Sequence, residues 1–191
     1  MRTRWILAAI GALGLALVTL TVPMTWRSRD AKTSGAACPA NAKAANLNFT
    51  MKDVTGKDVR LSDYKGKVIL LDFWATWCGP CKFEIPGFVA LQEKYGSRGL
   101  QVIGVSVDDT LDKLEPYVRE HRMNYPVLQG LGHEDVQEAY GPIFGIPVNI
   151  VISREGKICV KHTGLPAIES GSDSIEHAVR DAFEAEIRSL L

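Results

Sequence analysis

Hydrophobic and polar positions divide the chain into three unlike stretches. From Trp5 to Trp26 no residue is charged. From Arg27 to Ala45, "RSRDAKTSGAACPANAKAA" is small, polar and without period, which predicts a linker. From residue 46 onward the pattern takes on regular periods. "NLNFTMKDVTGKDVRLSDYKGK" alternates on both sides of a Thr-Gly turn and predicts a β-hairpin. "VILLDFWA" is a continuous apolar run of strand length, as expected of a strand covered on both faces. A helix is predicted from Pro80 to Tyr95, closed by Gly96, followed by a second buried strand in "LQVIGVSVD". "DTLDKLEPYVREH" has helical spacing at Leu111, Leu114, Val118 and His121, with Pro116 obscuring its start. A short strand in "YPVLQG" and a short helix in "HEDVQEAYG" come next. "PVNIVISREGKICVKHTG" reads as a hairpin turning at Glu155-Gly156. The tail from Ser172 puts Ile175, Val179, Phe183, Ile187 and Leu190 on one helical face, with Asp173 and Glu176 as its start signal. The order βαβα, β-hairpin, α predicts an α/β fold with a mixed central sheet flanked by helices.

The uncharged stretch changes the picture of location. As a helix, its 22 residues would measure roughly 33 Å, against a hydrocarbon core of about 30 Å. Trp5 and Trp26 bracket it as interfacial aromatics do. An N-terminal transmembrane helix over 1–26 is the first reading, and a cleaved signal peptide the second. Both export the body. Residues 27–45 are then a linker and 46–191 one domain. The net charge of zero conceals a surplus of four positive charges in residues 1–32. The remainder is mildly acidic, which gives no electrostatic reason to expect nucleic acid.

Candidate chemistry centres on "WATWCGPCKFEIP", residues 74–86. Cys78 sits where a strand gives way to a helix, so backbone N–H groups and the helix dipole favour its thiolate. One turn brings Cys81 back beside it. Cys78 is the expected exposed nucleophile, and Cys81 would resolve the mixed disulfide. A structural zinc site would need a second pair, and Cys38 and Cys159 are far apart in sequence. A purely structural bridge across so short a loop would gain little. Asp72 interrupts an apolar run that should be buried on both faces. Burial should raise its pKa and make it the acceptor, through water, of the Cys81 proton. Cys38 and Cys159 either form a second, structural disulfide or remain a mobile thiol and a small core residue. His133 and His162 read as surface or packing residues.

"DFWATWCGPCKFEIP" resembles the active-site segment of thioredoxins, and "GIPVNIVI" resembles the segment carrying that fold's cis-proline loop. The apolar N-terminus, the leading hairpin and "LSDYKGKVILLDFWATWC" are similar to the membrane-tethered TlpA-like and ResA-like branch. The resemblance covers about residues 46–190. It implies a thioredoxin-like fold and an extracytoplasmic thiol–disulfide oxidoreductase, a reductant of protein disulfides serving cytochrome c maturation in some members. It would place the domain on the periplasmic side of a bacterial inner membrane, or outside it as a secreted protein. It further implies protein disulfide or dithiol partners, an upstream electron donor in the membrane, a monomer, and no cofactor or metal. By the same resemblance, Glu84 joins Cys78, Cys81 and Asp72 as catalytic. Pro147 would follow a cis bond, and Trp77, Gly79, Pro80, Ile146 and Pro147 would meet the substrate. Two departures stand out. The position of the lysine that thioredoxins keep near the buried acid is Gly104, and "YGPIFGIP" replaces the "GVYG" loop of dedicated cytochrome-maturation reductants.

Two rival chemistries share this kind of fold. A peroxiredoxin-related peroxidase would need Thr at Ala75 and Pro at Leu71. Copper handling would need three residues between the cysteines and a distal histidine, and here there are two.

Overall fold

The computed structural model describes residues 38–166 and 174–191. The apolar stretch read as a membrane segment, and most of the linker, lie outside these residues. Among the described residues no helix is long and apolar enough to cross a membrane.

The elements in chain order are β1 (Thr50–Lys52), β2 (Asp58–Arg60), β3 (Val68–Trp74), α1 (Cys81–Tyr95) and β4 (Leu100–Ser106). They continue with α2 (Leu111–Glu120), β5 (Val127–Gln129), α3 (Glu134–Tyr140), β6 (Val148–Ile152), β7 (Ile158–Thr163) and α4 (Ile175–Leu190). β1 and β2 form the predicted antiparallel hairpin, with Met51 opposite Val59. The five other strands form one mixed sheet in the order β5-β4-β3-β6-β7. β3, β4 and β5 run parallel, and β6 and β7 run antiparallel to their neighbours.

Strand alternation divides the interior into two cores. Val68, Leu70 and Trp74 point to the face that packs with Phe88 and Leu91 of α1 and Val179 and Phe183 of α4. Ile69, Leu71 and Phe73 point to the other face, where Val136 and Tyr140 of α3 and Met51 and Leu61 of the hairpin region close over them. Every residue of β3 and β4 is buried, which is why both read as largely apolar runs. By the same alternation Asp72 stands on the α1 face.

Four details differ from the sequence expectation. α4 is capped by Ser174, whose Oγ accepts from the His177 N–H at 3.2 Å, while Asp173 lies outside the described residues. Ile175 is half exposed instead of part of the apolar face, because it occupies the first turn before the helix reaches the core. Pro116 lies inside α2, which nevertheless starts cleanly at Leu111 after the extended Thr110. The end of the stretch read as linker is attached to the body: Ala44 bridges Lys157, and Ile158 N–H donates to Lys43 C=O at 2.9 Å.

Candidate active site

The site is built where β3 ends and α1 begins. β3 stops at Trp74, and residues 75–80 turn before the helix starts at Cys81. Asp109, itself buried, holds this turn from the end of β4. Its carboxylate accepts from Thr76 N–H, Thr76 Oγ1 and Ser106 Oγ, each at 2.7 Å. Asp108 accepts from Trp77 Nε1 at 2.9 Å. The two aspartates therefore fix both the backbone of the turn and the indole at its tip. Neither was singled out from the sequence, although "SVDD" at the end of a buried strand is a polar signal in the place where such folds carry chemistry.

Cys78 and Cys81 are joined by a disulfide, with Cα atoms 5.4 Å apart. The Cys81 N–H donates to Cys78 Sγ at 3.2 Å. This is the helix-end donor that the sequence position called for, and it places partial positive charge where a thiolate would form. In one respect the expectation is corrected. Cys78 is 3% exposed, not an open nucleophile, while its neighbours Trp77, Gly79 and Pro80 are exposed. The bond to Cys81 directs its sulfur inward, toward the apolar cluster that both cysteines share with Ile85 and Phe88.

Behind the dithiol lies a buried polar island. In the sheet register Asp72 stands between Gly104 of β4 and Asn149 of β6. Asn149 Nδ2 donates to Glu84 Oε1 at 2.8 Å. Asp72, Glu84 and Asn149 are all essentially inaccessible to solvent. Both oxygens of Asp72, Glu84 Oε2, Asn149 Oδ1 and the hydroxyls of Tyr117 and Tyr125 have no hydrogen-bond partner among the described residues. Burial pushes the Asp72 carboxyl well above the usual range. Burial does the same to Glu84, reinforced by the charge of Asp72 and opposed by the Asn149 hydrogen bond. Tyr125 is held neutral by burial and by the two carboxyls.

Gly104 explains the missing lysine. A Cβ there would come within 2.9 Å of Trp74 Nε1, so the indole fills the space that a side chain on β4 would need. Glu84 is drawn into the site, since it sits one turn after Cys81 on the inner face of α1. Pro147 is buried and follows a cis peptide bond, as does Pro142. Ile146 packs against the cluster that contains both cysteines. Cys38 and Cys159 form a second disulfide, with Cα atoms 4.4 Å apart. His162 lies on β7 with Nε2 2.9 Å from Glu186 and its ring against Phe183, away from any ligand cluster. Among the described residues no group of three or more His, Cys, Asp or Glu side chains is arranged to hold a metal ion.

A model of the AhpC/TSA family matches residues 41–161. The chain belongs to that family. The thiol-disulfide oxidoreductase ResA of Bacillus subtilis (strain 168) is 29% identical over 164 residues, covering 86% of this chain and 84% of that protein. ResA of Bacillus thuringiensis subsp. konkukian (strain 97-27) is 34% identical over 111 residues, which cover 58% of this chain. The match spans 63% of that relative's length, less than two thirds. Among solved structures, a thiol:disulfide interchange protein of the thioredoxin family from Chlorobium tepidum TLS superposes with a TM-score of 0.62 at 27% identity. That comparison covers 78% of this chain and 99% of the other. A thiol:disulfide interchange protein from Bacteroides sp. gives 0.63 at 26% identity. The fold is thioredoxin-like.

Proposed function

We propose that this protein is an extracytoplasmic thiol–disulfide oxidoreductase that reduces disulfides in exported proteins, held at the membrane by its N-terminal apolar segment. The observation that carries the reading is the Cys81 N–H aimed at Cys78 Sγ at 3.2 Å, with two buried carboxyls behind the pair. In the reduced protein the Cys78 thiolate attacks one sulfur of a substrate disulfide. The other substrate sulfur leaves as a thiolate, and a mixed disulfide forms. Cys81 then loses its proton to the Asp72–Glu84 pair and attacks Cys78 Sγ, which releases the second substrate thiol. The product is the Cys78–Cys81 disulfide of the structure. Carboxyls raised by burial suit this role, because an acceptor near the pKa of a thiol takes its proton without a large uphill step.

Ile146 offers backbone N–H and C=O groups that are unpaired among the described residues, to which a substrate strand can pair beside the dithiol, while the Pro147 C=O accepts from Gly164 N–H at 2.8 Å. Electrons return to Cys78–Cys81 from a donor in the membrane, and cysteine pairs of apocytochrome c are among the substrates this reading admits. The test is turbidity of insulin with dithiothreitol, run beside peroxide consumption on the full chain. The reading predicts accelerated insulin precipitation, abolished in Cys78→Ser, and background peroxide loss. Rapid peroxide consumption with insulin turbidity near background would overturn it in favour of a peroxidase.

A further inference from the structure

Next to the dithiol the surface carries more apolar area than the disulfide chemistry requires. Phe144 is 94% exposed and Trp77 62% exposed. They line one groove of about 390 Å³ together with Val107, Ile143 and Ile146. Large apolar side chains left this open, and gathered in one place, mark a contact surface. The segment that supplies three of them is also free in its main chain. Among the described residues no backbone hydrogen bond involves Pro142 through Ile146, in contrast to helix α3 before the segment and the paired strand β6 after it. The groove is continuous with the reacting centre, because Trp77 adjoins Cys78 and Ile146 packs on the cysteine cluster. The elements that supply its lining also carry acidic side chains. Asp108 holds the Trp77 indole, and α3, whose Gln137 lines the groove, also carries the exposed Glu134, Asp135 and Glu138.

We propose that the Ile143–Phe144 wall makes this groove a selective subsite for an extended polypeptide with a large apolar residue beside its reacting cysteine, and against one with an acidic residue there. This rests on the disulfide-exchange reading and adds a choice of substrate to it. An unpaired backbone calls for a peptide rather than a small disulfide, since it supplies hydrogen bonds in register along a chain. The apolar wall and the acidic side chains of α3 and Asp108 then decide which peptide. Phe144 takes up the side chain next to the cysteine. Burying one such side chain in a half-open groove is worth about tenfold in kcat/KM, the low end of what an apolar pocket yields.

The experiment measures rates of reduction by the reduced full chain on disulfide-linked homodimers of Ac-Gly-X-Cys-Gly-Lys-amide, with X as Phe, Leu, Ser or Glu. Wild type should favour Phe and Leu over Ser by about tenfold, with Glu slowest. In Phe144→Ser the Phe-to-Ser ratio should fall to within about twofold, and Phe144→Leu should restore most of it. Using ratios within one variant removes any general loss of activity. Equal rates across the four peptides in wild type, or a ratio kept intact in Phe144→Ser, would overturn the proposal. Failure to reduce any of the peptides, or a small aromatic disulfide, would instead count against the disulfide-exchange reading itself.

Discussion

Asn149 of β6 donates to Glu84 of α1 across the core, at 2.8 Å, with both side chains shut off from solvent. A neutral amide thus supports a buried carboxyl one helical turn from the resolving cysteine, and favours its ionised form. A hydrogen bond to an ionised group is worth about 1.5–3 kcal/mol where water cannot replace it. Asn149→Leu should push the Glu84 carboxyl higher still. The rate of mixed-disulfide resolution, followed against pH in stopped flow, should move to higher pH and drop about tenfold at pH 7. A profile that keeps its position would mean the amide serves packing only.

Among the described residues Asp72 has no hydrogen-bond partner, and it is fully buried, so its proton is held more tightly in the folded chain than in the unfolded one. Unfolding therefore releases a proton as pH rises past the ordinary carboxylate range of about 4, and stability falls from there up to the raised folded value. Asp72→Asn removes this loss. The variant should match wild type near pH 4 and exceed it by about 1–3 kcal/mol at pH 8 in urea unfolding of the oxidised protein. The same substitution should slow resolution by Cys81. Equal stability at both pH values would place a water-accessible, ordinary carboxylate at this position.

Gly104 touches Asp72 in register and Trp74 in space. Gly104→Ala would bring a methyl to 2.9 Å from the indole nitrogen in a packed core, with Tyr125 next in line. Overpacking of this kind costs about 1–3 kcal/mol, and thermal unfolding should show it. Gly104→Lys, which restores the thioredoxin-like residue, should be worse than Ala and not better. A neutral Gly104→Ala would mean the indole moves freely.

The Cys38–Cys159 bond closes a loop between residues separated by 121 positions and fastens the chain entry to β7. Constraining so long a loop in the unfolded chain is worth about 2–5 kcal/mol. The double variant Cys38→Ser, Cys159→Ser should lose stability of that order in urea while insulin reduction persists. Loss of activity at full stability would give this pair a redox role.

Much of this architecture was legible in the order of apolar runs. β3 and β4 are covered on both faces, so their predominant hydrophobicity announced central strands, and the hairpin at Gly156 followed from a turn that needs a positive φ. The dithiol was legible because two cysteines at a strand-to-helix junction have few other physical uses. Asn149, Asp108 and Asp109 were not, since each acts through a partner at least 31 positions away in sequence that only sheet register and loop placement bring near. The burial of Cys78 also escaped, because exposure of a turn residue depends on how its sulfur is turned, which spacing does not record.

The account depends on a Cys78 sulfur that ionises easily. The direct measurement is the rate of iodoacetamide alkylation of Cys78 against pH, in the reduced full chain carrying Cys81→Ser and with Cys38–Cys159 left oxidised. A thiol pKa at least a unit below the free-cysteine value of about 8.5 is the expected result. A titration at or above 8.5 would contradict the account, since the helix-end N–H would then confer no reactivity on the sulfur it faces.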